Sequence, residues 1–217
     1  AHQDETVVKI SPEDASYMYG YFDKIVVDDA NQRVIVCRIP FFDREPQVDT
    51  EMQVGFVHID GSQKFHQVGT TTAWNLQQGT MAEWVGPDSI IYNIRNIRGG
   101  ESPPRLFASR IVNVETLETN DVPRAVYAFN RATNQIASLP FDRLHNLRRG
   151  YGYTVPLVPP EKVPEHDGIW LVDLNNLASP KERLIVSFSA VRSHILSTSG
   201  RTDEYSGQNY GRVPTSD

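Results

Sequence analysis

Turn-forming residues punctuate this chain at near-regular intervals, and short apolar stretches of strand-forming residues run between them. Lys24–Val27, a turn at Asp28–Asn31 and Val34–Arg38 read as one hairpin, and Gln53–Ile59, an Asp60-Gly61 turn and Lys64–Val68 as the next. β-Branched and aromatic residues favour extended backbone, while Asp, Asn and Gly reach the angles a tight reversal needs. The pattern then returns. Met81–Val85, Gly86–Asp88 and Ser89–Arg95 precede Leu106–Val114, a Glu115–Glu118 turn and Asn120–Val122. Val126–Phe129, Arg131–Asn134 and Gln135–Leu139 precede Gly168–Leu174, a long Asn175–Pro180 turn and Glu182–Val186. Corresponding turns recur at roughly 50 residues, as they do in repeated antiparallel units such as propeller blades. The expected class is all-β, with about three β-propeller-type blades of four antiparallel strands each.

This repeat divides the chain into a polar, tyrosine-rich lead (1–21), three blades (22–186) and a polar tail (187–217). The lead ends in Tyr17-Met18-Tyr19-Gly20-Tyr21, which reads either as an edge piece packed on a sheet or as part of a ligand surface. The nearest helix candidate is the short stretch Arg143–Arg149. The tail carries only the Val191–Leu196 apolar patch and has too little to bury to order itself. Closed propellers have typically about four to eight blades. The expectation is therefore an incomplete propeller, finished by the rest of a longer chain or by other subunits, because open sheet faces and edges invite aggregation.

Hydrophobic residues make up 39% of the 217 and charged ones 22%, a globular balance. A net charge of −6 argues against a nucleic-acid partner but leaves room for an anionic sugar polymer held by local arginines. No apolar run approaches the roughly 20 residues of a membrane span. Cys37, the single cysteine, sits in a strand pattern and reads as a small buried hydrophobe. The six histidines are scattered, with no zinc-binding spacing. Ala1-His2-Gln3 reads as a mature end left after cleavage behind a small residue, so the expected location is extracellular.

One stretch stands out for function. Thr70–Arg95 holds two Trp, one Tyr, two Asn and two Gln, with no Lys and a single Arg at its end. Trp74-Asn75-Leu76-Gln77-Gln78-Gly79 has neither helical nor strand periodicity and reads as a loop on a rigid strand pair. Such a loop can offer Trp74 for stacking on a sugar face and Asn75, Gln77 and Gln78 for its hydroxyls. The same residues also read as a core plug and as caps for loop backbone.

AWNLQQGTMAEW, then IIYNIR, then VYAFNRATNQIASLPFDRLHNLRRGYGY and DGIWLVDL resemble bacterial and fungal secreted β-propeller proteins that include polysaccharide lyases. The relatives in view are rhamnose–glucuronate and ulvan lyases, whose propellers are seven-bladed. The resemblance spans about Tyr17–Val186, with its more specific parts at Trp74–Gly79 and Leu147–Tyr153. It implies cleavage of a glycosidic bond next to a uronic acid by β-elimination. This sequence has no counterpart of the family's histidine-bearing later blades, and Arg149 stands where members commonly carry proline. No cofactor is required by the residues present, and a divalent metal elsewhere in a complete propeller is left open.

β-Elimination needs the carboxylate neutralised, a base for the C5 proton and an acid for the departing O4. Arg148 suits the first task through its planar fork. Tyr151, Tyr153 and His145 are the candidates for proton transfer, with Asn93 and Arg95 as further substrate contacts beside Trp74, Asn75, Gln77 and Gln78. Each has a plainer reading: solvated charge for Arg148, loop anchors for the tyrosines, an exposed turn residue for His145. The expected function is thus part of a carbohydrate-active propeller, a lyase acting on an acidic polysaccharide. The alternative is a non-catalytic glycan-binding or assembly module on the same fold.

Overall fold

The computed structural model describes residues 7–95, 105–155 and 164–199. Three four-stranded antiparallel sheets account for the strands, each an open meander in sequence order. The first holds β1 (Ser16–Met18), β2 (Arg33–Ile39), β3 (Met52–His58) and β4 (Phe65–Thr71). The second holds β5 (Glu83–Gly86), β6 (Ser89–Arg95), β7 (Phe107–Asn113) and β8 (Thr119–Val122). The third holds β9 (Ala128–Asn130), β10 (Gln135–Ser138), β11 (Gly168–Asp173) and β12 (Lys181–Ser187). Helix α1 (Phe141–Leu147) interrupts the β10–β11 connection, and α2 (Phe188–Ser199) follows β12.

The second sheet is covered on both faces, and β6 shows how its sequence arranges that. Alternate residues point to opposite faces of a strand. Ile90 and Tyr92 join Trp84 and Val112 against Ile35, Cys37, Met52, Val54 and Phe56 of the first sheet. Ile91 joins Phe107, Ile111 and Val122 against Ile136, Val172 and Leu174 of the third. Each such large side chain contributes about 1.5–3 kcal/mol by leaving water. Cys37 is buried in the first of these layers, as its strand pattern predicts.

Two charged knots reinforce the stack. Arg33 on β2 holds Asp28 at 2.7 Å, Asp88 at 2.9 Å and Glu115 at 3.1 Å, and its guanidinium lies 4.8 Å over the Trp84 ring. It thereby ties the first sheet to two turns of the second. Between the second and third sheets, Arg105 and Arg124 converge on Glu182, and Arg124 lies flat on Trp170 at 3.4 Å.

Two segments differ from the sequence expectation. The first strand is Ser16–Met18, inside the tyrosine cluster, and not Lys24–Val27. The Lys24 ammonium is drawn inward to the Tyr127 carbonyl at 2.5 Å and to Glu83 at 3.7 Å. Its segment therefore runs between sheets, with Ile25 accepting from the Trp84 amide, Val26 from the Ile35 amide, and only Val27 bridging to Val34. The tail is the second difference. Residues 188–199 form α2, started by the Ser187 hydroxyl, which accepts from the Ala190 amide at 3.0 Å. None of its residues is buried, so no apolar stripe was there to be read. The expectations for residues 1–6 and 200–217 lie outside the described residues. α1 begins two positions earlier than the helix candidate at Arg143. No helix among the described residues is long and apolar enough to cross a membrane.

Meander topology gives the stack two unlike ends. The tight turns β3–β4, β5–β6, β7–β8 and β9–β10 fall at one end. The long connections β2–β3, β4–β5 and β10–β11 gather at the other, where the Thr154 hydroxyl donates to the Pro46 carbonyl at 2.7 Å.

Candidate functional site

At the long-connection end the two loops singled out in the sequence meet. Asn75 accepts from the amides of Gln77 and Gln78 through one side-chain oxygen, at 3.0 and 2.6 Å. Its backbone exchanges two hydrogen bonds with Gly79, closing a tight ring of five residues. Its side-chain nitrogen then donates to the Gly152 carbonyl at 2.7 Å, joining this loop to the β10–β11 connection. Gly152 has φ of +81°, and a Cβ there would collide with the Phe141 carbonyl and the His145 amide, so glycine is required for α1 to lie this close.

A third segment arrives from the lead. A Cβ on Gly79 would stand 3.1 Å from the Gly20 Cα, so the chain at Gly20 lies directly against the Asn75–Gly79 ring. The next residue, Tyr21, interacts with the Tyr151 side chain, which raises the Tyr21 pKa above the ordinary tyrosine value. Arg148 in turn lies over the Tyr151 ring at 4.3 Å. The tight aromatic cluster was the signal for this segment, and it pointed first to packing.

The candidate residues divide into an enclosed set and an accessible one. Trp74 is 1% exposed, its indole N–H donates to the Thr50 carbonyl at 2.8 Å, and its ring packs near Phe41. An enclosed ring offers no face for stacking; here Trp74 is the core plug. Asn93 is fully buried and saturated: it donates to the Val126 carbonyl and the Tyr153 phenol, and accepts from Ser109 and the Val126 amide. Tyr153 is equally enclosed, stacked on Phe141 at 4.5 Å, and burial drives its pKa far above the tyrosine range. It cannot serve as a base in this position. Arg95 spans the Thr72 and Thr154 carbonyls at 3.4 and 2.9 Å beneath Phe107, so its fork is engaged in holding loops together. Asn75, also buried, performs the joining just described.

Gln77 and Arg148 are exposed, and Tyr151 and His145 are half-buried. Burial, and more weakly Arg149, lowers the His145 pKa against the pull of Glu45, so the imidazole is neutral near pH 7, the form a base needs. Gln78 is unlike the rest. Its side chain is wholly buried, and neither its amide oxygen nor its nitrogen has a hydrogen-bond partner among the described residues. Orphaned amide atoms of this kind cost about 1–3 kcal/mol each.

No group of three or more His, Cys, Asp or Glu among the described residues is placed to hold a metal ion. No protein-family model, curated protein or solved structure matches the chain.

Proposed function

We propose that this chain supplies blades of a β-propeller that takes up an acidic, uronate-containing polysaccharide at its long-connection end, within a lyase acting by β-elimination. The observation that carries this reading is the Arg148 guanidinium over the Tyr151 ring, with Tyr21 interacting with Tyr151, exposed Gln77 on the adjoining loop and half-buried His145 on α1. An Arg fork over a phenol, with an imidazole on the adjoining helix, supplies the group types that a carboxylate next to an acidic C–H requires.

In this reading Arg148 receives the uronate carboxylate and stabilises the charge that develops there. Tyr151 or His145 removes the C5 proton. The C5–H electron pair becomes the C4–C5 double bond, the C4–O4 bond breaks, and O4 leaves with the proton that this residue took from C5. Meander blades stacked face to face support the propeller assignment. On the outer side of the third sheet Ile169, Ile185 and Val186 are exposed, a surface that suits further blades from additional polypeptide. Such a protein would work outside the cell, where these polymers are met.

The enclosure of Tyr153 favours a second reading, a propeller module that binds the glycan without cleaving it. Calorimetry with polygalacturonate, hyaluronan and alginate, alongside ultraviolet detection of unsaturated uronate, tests both. Uronate-dependent binding that weakens about tenfold in Arg148→Ala, and recovers partly in Arg148→Lys, supports the site. Unsaturated product separates lyase from module. Binding unchanged in Arg148→Ala overturns the assignment.

A further inference from the structure

We infer that Gly20–Phe22 forms a third wall of this site, and that Phe22 is its platform for a pyranose ring flanking the bound uronate; the inference rests on the reading above. Trp74, the obvious stacking residue in the sequence, is sealed in the core. Phe22 is the opposite. It is 78% exposed, and its ring touches Tyr21 at 4.6 Å with the planes tilted by 52°.

Its position follows from the two residues before it. Gly20 is pressed against Gly79 of the Asn75–Gly79 ring, and Tyr21 interacts with Tyr151, so Phe22 adjoins the accessible cluster. On the far side, the buried Lys24 fastens the segment to the Tyr127 carbonyl and Glu83. The backbone around Phe22 is therefore pinned two residues ahead and two behind. An exposed aromatic on pinned backbone loses little freedom when a flat partner covers it. Phenylalanine has no polar group that would account for its exposure. The C–H-rich face of a sugar, offered beside a carboxylate held by Arg148, meets both halves of this surface: apolar ring and cationic fork.

The experiment measures binding of hyaluronan, polygalacturonate and alginate to the full chain by calorimetry, with thermal midpoints recorded for every variant. For the polymer bound most tightly, Phe22→Ala and Phe22→Leu should weaken binding about tenfold, and Phe22→Trp should retain or strengthen it, all with unchanged midpoints. Loss with leucine is informative because leucine keeps the apolar volume but lacks the ring. If Phe22→Ala binds as the parent does while Arg148→Ala is weakened, the third wall is wrong and the uronate site stands. If leucine binds fully, or if the alanine variant melts earlier and binds normally once folded, Phe22 is a packing residue and the inference fails. A parent that binds none of the three polymers overturns the uronate reading and this inference together.

Discussion

Asn93 donates its side-chain amide to the Tyr153 phenol at 2.8 Å, with both residues completely enclosed. The pair bridges β6 and the β10–β11 connection, and Asn93 also engages Ser109 and both backbone groups of Val126. It is a joint between sheets.

Tyr153→Phe should therefore cost about 1 kcal/mol of stability, because one neutral hydrogen bond is lost and Asn93 keeps the Val126 carbonyl. Asn93→Leu should cost clearly more, about 2–4 kcal/mol, since several buried groups lose their partner at once. Urea midpoints of the two variants check this ordering. Equal losses would show that the network does not act as a unit.

Gln78 predicts a change of the opposite sign. Leucine fills a similar volume without two orphaned polar atoms, so Gln78→Leu should stabilise the unliganded chain by about 1–3 kcal/mol. If the amide serves the glycan once the loop adjusts, the same variant should bind uronate polymers less tightly. A destabilised Gln78→Leu would mean that the amide already has a partner.

The Asp28 carboxyl illustrates a favourable buried charge. Burial alone would raise its pKa, but hydrogen bonds from the Arg33 guanidinium and from the Arg33 and Gln32 amides outweigh that and hold it below the ordinary value of 3.8. A depressed carboxyl stabilises the fold above its unfolded pKa, and this is lost as pH falls through the folded one. Asp28→Asn should flatten the acid limb of the stability profile. Arg33→Lys should restore little of what Arg33→Ala loses, because the planar fork serves three carboxylates and a ring face together.

Glu83 behaves inversely. Burial raises its pKa above 4.5 despite the Lys24 ammonium 3.7 Å away. The unfolded chain thus releases this proton first, so stability falls as pH climbs from the ordinary glutamate value through the raised one. Glu83→Gln should remove that slope, as read from denaturant midpoints across mildly acidic pH. Identical slopes in parent and variant would contradict it.

Turn chemistry made the sheets legible, because Asp, Asn and Gly at reversals and β-branched residues between them leave few alternatives to a meander. Lys24–Val27 misled because its pattern is that of a strand, while the partners that draw it between sheets, Glu83 and Tyr127, lie far along the chain. α2 was hidden for the converse reason: with no buried face, its only local mark is Ser187. At the site, the approach of the Trp74–Gly79 and Leu147–Tyr153 loops could be read from blade order. Burial could not, since Trp74 as plug and Trp74 as platform have the same local sequence. Tyr21 was read only as the end of an aromatic cluster and Phe22 was not singled out, and their place beside Tyr151 depends on Gly20 fitting against Gly79.

The lone cysteine has a practical consequence. Cys37 is sealed between the first two sheets, and burial pushes its thiol pKa to about 12, so it stays protonated and unreactive in the folded protein. Ser62 is exposed in the β3–β4 turn, at the end away from the long connections. A Ser62→Cys variant would carry one addressable thiol, through which the protein can be tethered to a sensor surface in a single orientation. Its long-connection end would then point into the flowing solution.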